Sequence, residues 1–162
     1  MNSGAYVDGM HRYHLWRNWN RSKPSCVWVM LNPSTADARI DDPTIRKCMG
    51  FANRWGFGAI DVVNLYTYRA TSPKDLRAAG FPNGPEADRV ILDVLGGLYH
   101  PVGRVVFAWG RHGRAERVAK VEALCRVTGC PTPVALRLNK DGSPQHPLYV
   151  PWDATPVAFE AD

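Results

Sequence analysis

Short continuous apolar runs separated by polar, glycine- and proline-bearing connections dominate the hydropathy pattern of this chain. Cys26 to Leu31 (CVWVML), Ala59 to Leu65 (AIDVVNL), Arg104 to Trp109 (RVVFAW) and Val134 to Leu138 are four such runs. Unbroken apolar stretches of this length read as strands covered on both faces rather than as strands with one wet face. His11 to Trp19 alternates loosely and reads as an edge strand, and Leu148 to Val150 reads as a short extension of the sheet. Between the runs lie helical signals. Asp42-Pro43 pairs a capping carboxylate with proline at the first helical position, and Ile45, Cys48, Met49, Ala52 and Trp55 then recur at helical spacing up to Gly56. Ser72-Pro73 repeats the start signal for a short helix ending near Gly80. Further helices are expected from about Pro85 to Leu95 and from Arg114 to Thr128, the last stopping at Gly129.

Apolar strands alternating with helices predict an α/β domain of three layers, α/β/α, around a mostly parallel central sheet of four to five strands. The 162 residues fit one such domain, spanning 1–162. In open α/β sheets ligands bind beyond the carboxyl ends of the strands. That rule selects the segments NPSTADARIDD, NLYTYRATS and GRHG for closer reading.

Composition narrows the classes. Hydrophobic residues make up 45% of the chain and charged residues 22%, a globular balance that excludes a disordered or fibrous protein. No apolar run approaches the roughly 18 residues of a membrane span, and the polar start MNSGAYVDGMHRYHL lacks the apolar stretch of a secretion signal, so a cytoplasmic monomer is expected. The net charge of +5 permits a polyanionic partner without requiring one. Cys26, Cys48, Cys125 and Cys130 form no CxxC pair, and their spacings suit reduced structural thiols rather than a zinc or iron–sulfur site; no cofactor is expected.

Chemistry-bearing residues cluster at the ends of the apolar runs. Asn32 and Pro33 break the first run abruptly; the Asn32 amide either organises the turn or presents a donor and an acceptor to a water or a base edge. Asn64 ends the second run beside Tyr66, Tyr68 and Arg69. Amide, aromatic ring and guanidinium together suit a flat heterocycle bearing phosphate, unless the tyrosines are core and the arginine surface. Gly110 and His112 stand between the third run and a helix whose first amides can receive a phosphate. Near the carboxyl terminus, Lys140 and a tight turn precede Gln145-His146-Pro147 and Tyr149. Asp37, Asp41 and Asp42 invite a metal or acid–base reading, with Asp42 better explained as a helix cap and Asp41 as added charge at the same helix end.

The segments MLNPSTADARIDDPTIRKC, RWGFGAIDVVNLYTYRAT, VVFAWGRHG and LNKDGSPQHPLY together resemble a bacterial and phage family of unknown function, over about Tyr13 to Phe159. MLNPS, VVNLY, VVFAWG and QHPLY also resemble, more distantly and in the same order, the motifs of the uracil-DNA glycosylase superfamily: a strand ending in a GxNPG- or GQDPY-like motif, a second ending in Asn, a third in a vvalG motif, and a His-Pro-Ser-like loop. The chain departs from that pattern at Met30-Leu31, where a small residue is usual, at Leu148, where Ser is usual, and in lacking the four-cysteine cluster of some members. The resemblance implies a uracil-DNA-glycosylase-like fold and cleavage or processing of an N-glycosidic bond to a nucleobase, modified or not, in DNA or a nucleotide. It implies that Asn32 and His146 are catalytic, positioning water and the departing base, and that Asn64 reads the base edge. Tyr66 is then the stacking platform, with Pro33, Ser34, Arg69, Gly110, His112, Lys140 and Tyr149 as further substrate contacts and no metal. Two other classes remain open at this stage: a non-catalytic nucleic-acid-binding module, and a metal-dependent small-molecule enzyme using Asp37, Asp41 and Asp42.

Overall fold

The computed structural model describes residues 1–159. The chain forms strands β1 (Asn2–Asp8), β2 (His11–Asn18) and β3 (Ser25–Met30), helix α1 (Pro43–Arg54), strand β4 (Ala59–Asn64), helices α2 (Pro73–Ala78) and α3 (Ala87–Leu95), strand β5 (Val102–Phe107), helix α4 (Ala115–Thr128), strand β6 (Val134–Ala135), a 3-10 turn (Pro147–Tyr149) and strand β7 (Val157–Ala158). The strands make one sheet in the order β1-β2-β4-β3-β5-β6-β7. β3 pairs in parallel with β4 and with β5, and β5 with β6; β1–β2, β2–β4 and β6–β7 are antiparallel.

The central strands behave as their unbroken apolar runs require, since every residue of β3 and of β4 is buried. Alternate residues of β3 enter two separate apolar clusters. Cys26, Trp28 and Met30 pack with Ile45, Cys48, Phe51 and Ala52 of α1; Val27 and Val29 pack with Val90, Ile91 and Val94 of α3 and Val121 and Leu124 of α4. α1 starts as its sequence predicts, with Pro43 in the first turn and the Asp42 carboxylate accepting the Ile45 amide at 2.9 Å. Ser72 caps α2 in the same way, accepting the Asp75 amide.

Expectation and structure differ in the sheet. Among the described residues it has seven strands, not four to five, and half of its six strand pairings are antiparallel, so it is not mostly parallel. The difference comes from the periphery. Residues 2–8, which carry no apolar pattern, pair with β2 as a hairpin turned at Gly9 (φ 60°) and are exposed along most of their length, and an exposed edge strand leaves little hydrophobic signature. β2 is therefore interior rather than an edge, and two of its buried polar residues are matched, His14 Nε2 bonding Asp61 Oδ1 at 2.7 Å and Arg17 Nε donating to Asp41 at 2.8 Å, whereas Arg12 Nε and Asn18 Oδ1 have no partner among the described residues. Val150 does not extend the sheet, because Pro147 opens a 3-10 turn over 147–149. β6 stops at Ala135, three residues short of the predicted end.

Candidate functional site

β3, β4 and β5 run parallel, so their carboxyl ends open on one edge of the sheet, with β3 lying between β4, which it reaches through α1, and β5, which follows β4 through α2 and α3. A cavity of about 660 Å³ lies at that edge, within the range of small-molecule sites. It gathers Asn32 and Ser34 from the loop after β3, Asn64 from the end of β4, Gly110 and His112 from the loop after β5, and His146 and Tyr149 from the last loop. These seven sequence-selected residues share one enclosure although 117 positions separate the first from the last.

Asn64 stands out energetically. It is 2% exposed, and neither its amide nitrogen nor its amide oxygen has a hydrogen-bond partner among the described residues. Leaving such a group buried and unpaired costs on the order of 1–3 kcal/mol, and native proteins rarely carry the cost without a use for it. The pleat explains the placement: Asn64 follows Ile60 and Val62 on the face that packs towards α1, one residue beyond the apolar cluster and facing the cavity.

Asn32 is held differently. Its amide nitrogen donates to the carbonyls of Pro33 (3.0 Å), Tyr68 (3.3 Å) and Ala70 (3.0 Å). The side chain thus ties the β3 and β4 loops together, as the turn-organising reading expects, and its amide oxygen remains as an acceptor at the cavity. His146 is fixed by a local bond in which its Nδ1 accepts the Leu148 amide at 3.2 Å. An accepting Nδ1 places the ring proton on Nε2, and burial pulls the imidazole pKa below its ordinary value, with Asp42 opposing. His146 is therefore a neutral donor at neutral pH. Gly110, in the left-handed region (φ 75°), gives its amide to the Pro144 carbonyl at 2.8 Å and so ties the β5 loop to the His146 loop.

Four sequence-selected residues lie outside this enclosure. Tyr66 is buried in the core against Phe81, and its hydroxyl accepts the Arg114 amide at 3.1 Å, so it offers no face for stacking. That bond also occupies an amide at the start of α4, the end predicted to receive phosphate. Arg69 borders a shallower neighbouring depression, its Nε donating to the Ser34 carbonyl at 3.4 Å. Pro33 serves through its carbonyl, which accepts from Asn32 and from the Ala70 amide. Lys140 is exposed in the tight turn. The three aspartates do not form a metal site among the described residues. Asp41 pairs with Arg17, Asp37 accepts the Arg39 and Ile40 amides, which holds its carboxyl below the usual range, and Asp42 caps α1 while also lining the cavity.

Sequence reading missed Arg12, which lines the cavity while being 2% exposed. The β1–β2 register pairs Tyr6 with His14 and Val7 with Arg12, skipping Tyr13. This bulge reverses the alternation, so Tyr13 joins the cluster of α3 and α4 while Leu15 joins that of α1. A loose alternation containing a bulge cannot be assigned to faces from spacing, so nothing in the sequence singled out Arg12. Trp109 and the Thr71-Ser72 pair complete the wall between these loops.

No curated protein and no solved structure matches the chain. Residues 12–148 match a family described as a protein of unknown function (DUF1643), and the match spans the elements from β2 to the His146 loop, taking in every side chain placed in the cavity except Tyr149. The chain therefore belongs to the DUF1643 family.

Proposed function

We propose that the cavity binds a nucleobase with its attached sugar and that the protein cleaves or processes the N-glycosidic bond of that base, in DNA or in a nucleotide. The observation that carries this reading is the unpaired, buried carboxamide of Asn64 at a cavity of nucleoside size. One donor and one acceptor side by side complement the edge of a base, which supplies both. The motif order shared with the uracil-DNA glycosylase superfamily supports the same assignment. A three-layer fold of that kind fits the two apolar clusters, one holding α1 and the other α3 and α4.

The roles follow from the bonds already made. Departure of a base leaves an oxocarbenium-like sugar and negative charge on the base. His146, a neutral Nε2–H donor, stabilises that charge without first giving up a proton. Asn32, its amide nitrogen pinned by three carbonyls, keeps its oxygen in place to accept a hydrogen from the attacking water. Tyr149, 80% exposed and 5.8 Å from the His146 ring, is the aromatic side chain placed to cover a base at the mouth, in place of Tyr66.

The test is chromatographic detection of free base after incubation with duplex and single-stranded oligonucleotides and with nucleotides carrying uracil, mismatched and modified bases. Release of one base type by the purified chain, lost in Asn32→Ala and His146→Ala, supports the reading. Full release by both variants would remove the mechanism.

A further inference from the structure

Arg12 is the second unbalanced polar group at the cavity, and it carries a charge. Its Nη1 donates to the Ala36 carbonyl at 2.8 Å, while its buried Nε has no partner and no carboxylate pairs with it among the described residues. Arg17, on the same strand, shows what a buried arginine ordinarily receives: the Asp41 carboxylate and the carbonyls of Asp37 and Trp16. Burial lowers the Arg12 pKa to about 10, with Asp42 opposing and Arg69 and Arg17 reinforcing, so the side chain is still a cation at neutral pH. A buried guanidinium on which Asp42 and Asp37 act only through space, with no carboxylate bonded to it, is a costly arrangement that an oxyanion relieves, and a guanidinium meets phosphate through paired N–H bonds. The surroundings suit the same guest. Ser34, Thr35 and Ser72 add hydroxyl groups to the cavity, and the Asp42 carboxylate that also lines it is engaged in capping α1 through the Ile45 amide.

We propose that Arg12 holds the phosphate of a free nucleotide, so that the cavity takes a nucleoside monophosphate rather than a base extruded from a polymer. This rests on the nucleobase reading of the same cavity. The choice of a free nucleotide follows from burial. A phosphodiester inside a chain must have strand entering and leaving it, which a side chain only 2% exposed disfavours, whereas a terminal phosphate needs one approach only.

Isothermal titration of the full chain with inorganic phosphate, 2′-deoxynucleosides, their 5′-monophosphates and a single-stranded oligonucleotide without terminal phosphate tests the proposal. The expected result is that one monophosphate binds at least about tenfold more tightly than its nucleoside, that phosphate competes with it, and that Arg12→Met removes the preference while Arg12→Lys keeps part of it. The ligand comparison on the unaltered chain stands even if Arg12→Met fails to fold. Equal affinity for nucleoside and monophosphate overturns the proposal and leaves the base site intact. Phosphate binding with no nucleoside binding removes the base reading and the nucleotide with it. Tighter binding of the oligonucleotide than of any monophosphate makes DNA the substrate and overturns the inference.

Discussion

At the scale of single residues, Asn64 and Arg12 both line one cavity and carry buried polar atoms without partners among the described residues, while Asn18, Trp28 and Arg117 carry others outside its lining. A residue kept for a ligand, at a cost to the free protein, should be improvable for stability and for nothing else. Asn64→Leu, close in volume and apolar, is therefore expected to stabilise the free chain by about 1–3 kcal/mol in urea unfolding, because the desolvated amide is removed. A loss of stability would mean that Asn64 is held by interactions the structure does not contain. Asn64 was legible in the sequence because it interrupts an apolar run. Its lack of partners was not, since satisfaction of a buried group depends on neighbours from other segments. Tyr66 illustrates the same limit from the other side: two residues beyond Asn64, it was grouped with the site by proximity, yet its hydroxyl is taken by Arg114 and its ring by Phe81.

At the scale of elements, local signals were read well where the cause is local. Asp42-Pro43 and Ser72-Pro73 start α1 and α2 because a side-chain oxygen and a fixed φ act within one turn. Asp42→Ala is expected to lower stability by about 0.5–2 kcal/mol, whereas Asp42→Asn, which retains the capping oxygen, should cost a few tenths at most; equilibrium denaturation of the two variants separates them. β1, β7 and the bulge at Tyr13 escaped detection because edge pairing and register are properties of two segments together. A further polar cluster joins three elements at the opposite end of the parallel strands from the cavity. Asp61 of β4 bonds His14 of β2 (2.7 Å), Ser25 at the start of β3 (2.6 Å) and His100 just before β5 (3.0 Å). Burial alone would push the Asp61 carboxyl up, but bonds from His100, His14 and Ser25 outweigh it and hold it below the usual range; the bond to Asp61 raises His100 above 6.5 despite partial burial. The depressed acid contributes its stability above 3.8 and loses it only as pH falls through its lower folded value. The raised imidazole contributes fully below 6.5 and loses its share as pH climbs through its folded value. The melting-temperature advantage of wild type over His100→Gln should therefore shrink as pH climbs past 6.5, a comparison that sets His100 apart from the buried His146, whose lowered pKa acts in the opposite sense. An advantage that grows from about pH 6 to about pH 8 would contradict this assignment.

At the scale of the whole molecule, the parallel core and its connections determine where chemistry can sit. Asn32, Asn64 and His146 come from three distant segments, and the arrangement that joins them follows from the strand order β4-β3-β5-β6, whose parallel strands send the loops that carry them to one edge. That much was legible from apolar runs ending in polar residues. The antiparallel hairpin that brings Arg12 to the same edge was not, and it changes the site from a neutral pocket into one with a buried cation. The central claim is that this cavity reads a nucleobase through Asn64, and the most direct measurement is base release from matched substrates by wild type and Asn64→Asp, each confirmed as folded by its melting curve. Asn64→Asp exchanges a donor for an acceptor in place, so the account predicts that the base released by the wild type is no longer accepted, with any remaining activity moved to a base of complementary edge. Unchanged base preference at an unchanged rate in Asn64→Asp would contradict it.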